Sequence, residues 1–241
     1  MANQLNSGHV KNITAFSDLL TFCADNGADY QPTREAFKLD HLRTVLQAAE
    51  AAVGDCKTKE ILYDNAIDAR IIAFKDMKPL ATKVVSALKA SGVSAKIVDA
   101  ARTINNKLQG KRATPARTPA EEASESRTVS SSKQGFDERM AEFFGLIELV
   151  RSQPEYKPNE PGLKPEELLT YLEGLKVAND APRVPYSVWN TSRTLRDKLL
   201  YAPDTGLVDL ALGVKDYLKS VYGASSNEFL RVKKLQFKRL S

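Results

Sequence analysis

The side chains best suited to catalysis are few in this sequence and lie far apart along it. The chain has two histidines, His9 and His41, and two cysteines, Cys23 and Cys56. A cysteine nucleophile needs a base within hydrogen-bond reach and a third group that orients this base, and no spacing in the sequence indicates such a set. The glycine-rich patterns that bind phosphate groups are also absent. We therefore predict that the protein is not an enzyme.

Metal and cofactor sites also lack suitable ligands in the sequence. Two cysteines cannot supply a four-cysteine zinc site, and the Glu-x-x-His motif of di-iron bundles does not occur. Paired carboxylates such as Glu166 and Glu167 lie where we expect a helix to begin, and the helix dipole favours negative charge there. We predict no cofactor, no metal site and no identifiable small-molecule ligand.

An internal repeat is the most informative feature of the chain. Residues 30–70 align with residues 156–196 at a constant offset of 126. The identical pairs there are Tyr30/Tyr156, Pro32/Pro158, Lys38/Lys164, Leu42/Leu168, Thr44/Thr170, Leu46/Leu172, Ala52/Ala178 and Arg70/Arg196. At an offset of 127, Phe16/Phe143 and Leu19/Leu146 match, and at 130 the matches are Leu80/Leu210, Ala81/Ala211, Val84/Val214, Leu88/Leu218 and Lys89/Lys219. Because repeats determine architecture, we predict two copies of one fold.

Both copies have the 3.6-residue period of amphipathic helices. In the first copy we predict helices over about 12–25, 32–54, 59–78, 80–91 and 94–108, with breaks at Gly54 and at Lys78–Pro79. In the second copy the corresponding helices are expected over about 137–152, 164–179, 184–201, 206–221 and 226–239. The fold class is thus all-α, with two tandem, pseudo-equivalent antiparallel helical bundles.

The repeat also predicts the domain organisation. Each copy forms one bundle, over 1–110 and 136–241, and residues 111–135 connect them. The segment Lys111–Lys133 is rich in Ser, Thr and Pro and has almost no apolar side chain. Such a segment cannot bury enough surface to offset the entropy lost on ordering. We therefore predict a flexible linker between the bundles.

Four repeated polar positions are candidate site residues. Tyr30 and Tyr156 lie in the loop before the second helix of each copy, and a tyrosine there packs its ring over helix ends and bonds through its hydroxyl. Arg70 and Arg196 follow an aromatic residue and an apolar stripe, so each can form an internal ion pair or stack on a ring. Two interpretations remain open: a structural role, or a ligand or partner surface shared by both copies.

The net charge of +5 is spread over the whole chain, and its one local concentration is the C-terminal segment. The expected helix over 226–239 is amphipathic, and its basic face can remain solvated, lie on a membrane surface or contact phosphate groups. The phosphate contacts are then Arg231, Lys233, Lys234, Lys238 and Arg239. Together with the linker, this helix gives the alternative function of weak nucleic-acid binding.

A further set of residues in the second copy is Tyr156-x-Pro-Asn-Glu160, Leu168, Leu172, Arg196, Leu200-Tyr201, Gly206-Leu-Val-Asp209, Lys215-x-Tyr217 and Gly223-x-Ser225. This set resembles a pattern in bacterial helical proteins that have no assigned function. The first copy matches it only loosely, because it lacks the Gly-Leu-Val-Asp and Lys-x-Tyr elements. The resemblance implies a duplicated helical fold and a bacterial source, and it implies no activity.

The leading functional prediction is a non-enzymatic structural or interaction protein, acting in a scaffold or an assembly. Duplication provides two similar surfaces, which suits a bivalent protein partner or self-association. No secretory signal pattern is visible in the first residues, and no apolar stretch reaches transmembrane length. We therefore expect a cytoplasmic protein without a transmembrane segment.

Overall fold

The computed structural model describes residues 2–27, 29–111 and 134–240, and within these ranges its regular structure is helical throughout. The predicted all-α class is confirmed. The helices are α1 (Ala2–Asp25), α2 (Leu39–Phe74), α3 (Met77–Ala90), α4 (Ala95–Gln109), α5 (Phe136–Arg151), α6 (Pro165–Asp180), α7 (Arg183–Tyr201), α8 (Leu207–Tyr222) and α9 (Asn227–Lys233), with a short 3-10 turn at Glu35–Phe37. None of the described helices is both long and apolar enough to cross a membrane.

Several helix ends follow from local sequence signals. Pro165 occupies the start of α6, where its missing N–H costs no hydrogen bond. Gly110 ends α4 with a φ of 78°, a left-handed conformation that glycine adopts without strain. Ser226 caps α9 because its hydroxyl accepts a hydrogen bond from the Phe229 N–H at 3.1 Å.

The predicted helix break at Gly54 is wrong. A single helix, α2, runs for 36 residues from Leu39 to Phe74. Glycine inside a helix costs only ~1 kcal/mol relative to alanine, and no proline occurs between Pro32 and Pro79. The buried face also continues past the glycine, since Ala52 and Cys56 on either side of it are both buried. The α6–α7 boundary differs because Pro182 follows Ala181 there and disfavours helix at the residue before it.

The helices form two compact units, and unit 1 is discontinuous in sequence. Unit 1 comprises Met1–Asp64 and Val184–Ser241, and unit 2 comprises Asn65–Arg183. Helix α2 therefore contributes its first part to unit 1 and its last part to unit 2. This composition does not follow the predicted boundaries, which placed 1–110 and 136–241 in separate bundles. The physical reason is the unbroken α2, which passes from unit 1 to unit 2 after Asp64, within the third predicted helix.

Most of the predicted linker, residues 112–133, lies outside the described residues. Its flanking helices, α4 and α5, both belong to unit 2 and pack against each other. Gln134 also bonds back to the end of α4, because its Nε2 donates to the Lys107 carbonyl oxygen at 2.9 Å. The described residues on both sides of this segment therefore lie in the same unit.

The cores of the two units use aligned positions of the repeat. Fully buried residues in unit 1 include Phe16, Leu19, Leu42, Val214 and Leu218. Their aligned partners, also fully buried, lie in unit 2: Phe143, Leu146, Leu168, Val84 and Leu88. Each unit thus combines the first helices of one sequence copy with the last helices of the other.

The predicted C-terminal helix is also too long. Helix α9 ends at Lys233, and the chain continues without regular structure along α1 and α8. The Asn12 side chain donates to the Lys238 carbonyl oxygen at 2.7 Å and accepts from the Lys238 N–H at 2.9 Å. Lys215 Nζ donates to the Leu235 carbonyl oxygen at 2.8 Å. These side chains bind main-chain groups that a longer helix would use itself.

We predict that cutting the chain within 112–133, at an inserted protease site, leaves the two fragments associated. Unit 1 needs 1–64 from one fragment and 184–241 from the other, and unit 2 likewise needs both. Size-exclusion chromatography of the cut protein should give a single peak of unchanged elution volume containing both fragments. Two separate peaks of folded fragments would instead support bundles confined to 1–110 and 136–241.

Candidate functional site

The repeated tyrosines have internal, structural positions. Tyr30 and Tyr156 are each 5% exposed, and each hydroxyl donates to a carbonyl oxygen seven residues further along. These acceptors are Phe37 for Tyr30, at 2.6 Å, and Leu163 for Tyr156, at 2.9 Å. Burial raises the pKa of both phenols, and that of Tyr156 rises to about 12. Both are therefore neutral hydrogen-bond donors that hold the loop before the next helix.

Arg196 is held inside unit 1 by two kinds of partner. It is 8% exposed, and its Nε and Nη2 donate to Asp197 Oδ1 at 2.9 and 2.7 Å. Its Nη1 lies 3.5 Å from the Cys56 sulfur. The guanidinium is thus occupied by internal contacts and makes no open anion site.

A buried polar cluster lies beside Arg196. His9 precedes the first predicted helix, but in the structure it lies in α1 and is 3% exposed. Its Nδ1 is 2.7 Å from the Tyr201 hydroxyl, and Asn12 Nδ2 donates to the same hydroxyl at 3.3 Å. Burial, and then the charge of Arg196, lower the pKa of His9. The cluster links α1 to α7 through the Tyr201 hydroxyl.

Arg70 has a different environment from its aligned partner Arg196. Its guanidinium carbon lies 4.3 Å from the centroid of the Phe136 ring. Phe136 aligns with His9 at the offset of 127. The Arg70 Nε is buried without a hydrogen-bond partner among the described residues. The repeat therefore retains the arginine while its contacts differ between the two positions.

The cysteines also lie in the interior. Cys23 and Cys56 are both buried and unpaired, and burial raises the pKa of the Cys23 thiol to about 12. A thiol of such pKa is a poor nucleophile near neutral pH. Within the described ranges, no three His, Cys, Asp or Glu side chains cluster closely enough to hold a metal ion.

The five basic candidates near the C-terminus do not share one helix face, because α9 ends at Lys233. All five are exposed. Arg239 forms an ion pair with Asp209, and the Arg231 guanidinium carbon lies 5.8 Å from the Phe22 ring centroid. Lys233, Lys234 and Lys238 form no ion pair within the described chain.

An aromatic cluster in unit 1 was not predicted as a site. The rings of Tyr63 and Trp189 stack at 5.4 Å between centroids with 19° between their planes, and Tyr186 lies 5.4 Å from Tyr63. The Arg193 guanidinium carbon is 5.1 Å from the Trp189 ring centroid. The sequence did contain a signal for this cluster, because Tyr63 aligns with Trp189 at the offset of 126. The stacked rings join α2 to α7 within the unit.

A row of exposed aliphatic side chains on α7 was also missed. Val184, Val188 and Leu195 are 71%, 41% and 52% exposed, and Thr191 completes a spacing of four, three and four residues. These four positions lie on one face of a helix. The same helix buries Ser192 and Arg196. It also buries Leu200, so the sequence signal for the exposed row was its spacing of four, three and four residues alone.

Comparisons with protein-family models, with characterised proteins and with solved structures give no match for this chain.

We predict that acidification destabilises the protein through His9. The folded state disfavours protonated His9, whereas unfolded histidine takes up a proton near its ordinary pKa of 6.5. The unfolded chain therefore binds more protons, and stability falls as the pH decreases through about 6.5. Urea unfolding between about pH 7.5 and about pH 5 measures this loss.

The His9→Gln variant should show a smaller decrease than the wild type over this range. The matched control is His41→Gln, since His41 is exposed on α2 and its replacement should leave the decrease unchanged. An equal decrease in wild type and His9→Gln would show that His9 does not control it.

Proposed function

We propose that this protein is a non-enzymatic structural or interaction protein that associates with a second copy of itself through α7 of unit 1. The supporting observation is the exposed row Val184, Val188, Thr191 and Leu195, called the α7 stripe below. The internal groups already described, including Arg196 and His9, have partners within the unit. The α7 stripe instead presents apolar groups to solvent.

The spacing of the α7 stripe suits packing against another helix. Alternating steps of four and three residues give the 3.5-residue period of a coiled-coil seam. Only Thr191 among the four is polar, and a threonine still presents its methyl group. Three aliphatic side chains, each between 41% and 71% exposed, remain in water in the single chain. Burying them against another helix would stabilise the association by roughly 25 cal/mol for each Å² of apolar surface removed from water.

The border of the stripe favours a second copy as its partner. Ser187 and Thr194 lie along its outer edge and are exposed and uncharged. Charged residues come only near its ends, at Arg183 and Lys198. Two copies can therefore meet without bringing like charges together along the middle of the seam. A helix with the same spacing is complementary to this one, and a two-fold contact closes after two chains.

The interface should be weak. A stable interface buries ~800 Å² on each partner, and three partly exposed aliphatic side chains supply only a fraction of that. We therefore expect a concentration-dependent dimer with a Kd on the order of 10 µM or above.

The internal duplication extends this proposal to a second surface. The positions on α2 that align with the stripe are Thr58, Leu62, Asn65 and Ala69, and all four are exposed. Leu62 is the one large aliphatic side chain among them, at 56% exposed. Of these positions only Thr58 and Leu62 belong to unit 1, and we therefore propose that the α7 stripe is the principal surface for self-association.

Weak nucleic-acid binding by the basic C-terminal segment remains a separate proposal. It is supported by the exposed Lys233, Lys234 and Lys238. Phosphate binding weakens steeply as salt increases because counterions are released. Association through the α7 stripe should persist or strengthen with salt, since its central part carries no charge.

We predict that Val188→Asn with Leu195→Asn weakens self-association at least tenfold, or ~1.4 kcal/mol, because two apolar contacts per chain are lost. Sedimentation equilibrium from about 1 µM to about 500 µM measures the Kd.

The matched control is Leu212→Asn with Val221→Asn on α8. These two side chains are 44% and 40% exposed, close to the 52% and 41% of Leu195 and Val188. The control should dimerise like the wild type. A wild type that remains monomeric at the highest concentration, or equal effects of both double variants, would contradict the proposal.

A further inference from the structure

A cleft in unit 2 lies between α3 and the loop that contains Tyr156. It has a volume of about 470 Å³ and is lined by residues that include Ser86, Ala87, Tyr156, Lys157 and Leu163. Tyr156 is buried and its hydroxyl is bonded to Leu163. The Tyr156 ring therefore forms a fixed part of the wall.

The aligned place in unit 1 is filled by the chain itself. Tyr217 of α8 packs its ring edge-on against Tyr30, with centroids 5.5 Å apart and 84° between the planes. The Tyr217 hydroxyl accepts a hydrogen bond from the Gln31 N–H at 3.0 Å. Phe37 fills the adjoining space so closely that a Cβ at Gly213 would lie 2.5 Å from its ring.

Unit 2 lacks both filling groups. Ala87 aligns with Tyr217 at the offset of 130, and Leu163 aligns with Phe37 at the offset of 126. Lys157 aligns with Gln31, and its N–H makes no hydrogen bond within the described chain. Tyr156 keeps the position and the hydroxyl bond of Tyr30. The cleft thus keeps the Tyr156 ring and the Lys157 N–H, which correspond to the two groups that contact the Tyr217 phenol in unit 1.

We propose that the cleft binds a phenolic ring, supplied by a tyrosyl side chain of a peptide or by a free phenol. The ring packs edge-on against Tyr156, and its hydroxyl accepts a hydrogen bond from the Lys157 N–H. A cavity of ~150 Å³ is enough to hold benzene, so the 470 Å³ cleft has room for the ring and for groups beside it.

The rim of the cleft favours a neutral ligand with polar groups near the ring. Lys83, Lys157, Glu155 and Glu160 line it, and none of the four forms an ion pair with another described residue. Cations and anions are equally represented, so a ligand with net charge gains little. An N-acetylated and amidated tyrosine meets these conditions, and p-cresol provides the ring alone.

The test is a titration of the full chain with N-acetyltyrosinamide and p-cresol, followed by NMR shifts of the Lys157 and Ala87 amides. Both should bind, and N-acetylphenylalaninamide and toluene should bind at least tenfold more weakly because they lack the hydroxyl. Tighter binding of N-acetyltyrosinamide than of p-cresol assigns a peptide source, and equal binding assigns a free phenol. No saturable shifts, or equal shifts with toluene, would overturn the proposal.

Two variants locate the site. Ala87→Tyr should supply the missing ring from the chain and abolish binding, whereas the same change at the exposed Ala100 of α4 should leave binding unchanged. Tyr217→Ala should open the aligned place in unit 1 and raise the stoichiometry from one ligand to two. Binding that survives Ala87→Tyr in a folded variant would contradict the assigned site, whatever the result with Tyr217→Ala.

Discussion

The uninterrupted course of α2 through Gly54 is the constraint on which the composition of both units depends. If the helix ended at Gly54, the following residues could turn back and pack within their own sequence copy. Because the helix continues to Phe74, its last turns and the helices after it belong to unit 2. Unit 1 is then completed by α7, α8 and α9 from the other end of the sequence. The continuity of α2 through Gly54 therefore accounts for which segments share a core.

The positions that are buried in the two cores were largely predictable, because many of the apolar residues that match between the copies are buried. Pairs such as Phe16/Phe143 and Leu42/Leu168 are identical in sequence and fully buried in the structure. Burial depends on position within one helix and its near neighbours, which periodicity captures. The partner helix was not predictable in the same way. When two copies have the same apolar faces, the helices of one copy can pack against each other or against helices of the other copy. The periodicity of the sequence is the same in both cases.

The ends of helices were predicted where the local signal was strong and missed where distant contacts compete. Pro182 and Gly110 give local reasons for a helix to stop, and helices end beside them. The end of α9 at Lys233 depends instead on Asn12, which bonds to Lys238 from the other end of the chain. The burial of His9 was likewise not predicted, because its partner, Tyr201, is remote in sequence. Contacts of such long range leave no pattern in a short window of residues.

For the candidate sites, differences between the copies are more informative than identities. The identical residues Tyr30, Tyr156 and Arg196 make internal hydrogen bonds that maintain the fold. The open cleft depends on Ala87 standing where the other copy has Tyr217. The exposed stripe of α7 likewise depends on aliphatic residues at positions where α2 has mostly small or polar ones. Residues that are identical in both copies therefore mark positions that maintain the fold, and they do not reveal the differences on which the candidate sites depend.

The free energy of unfolding of a Gly54→Ala variant tests the central role of α2 most directly. In a continuous helix, alanine is favoured by ~0.5–1 kcal/mol, and a Cβ at this position meets no atom within 4 Å. Gly92→Ala is the matched control, because Gly92 is equally unobstructed but has a φ of 83°, where alanine is strained. The account predicts that urea unfolding shows Gly54→Ala to be more stable than the wild type and Gly92→Ala less stable. If Gly54→Ala is destabilised like Gly92→Ala, the helix ends at Gly54 and the composition of the two units described here is incorrect.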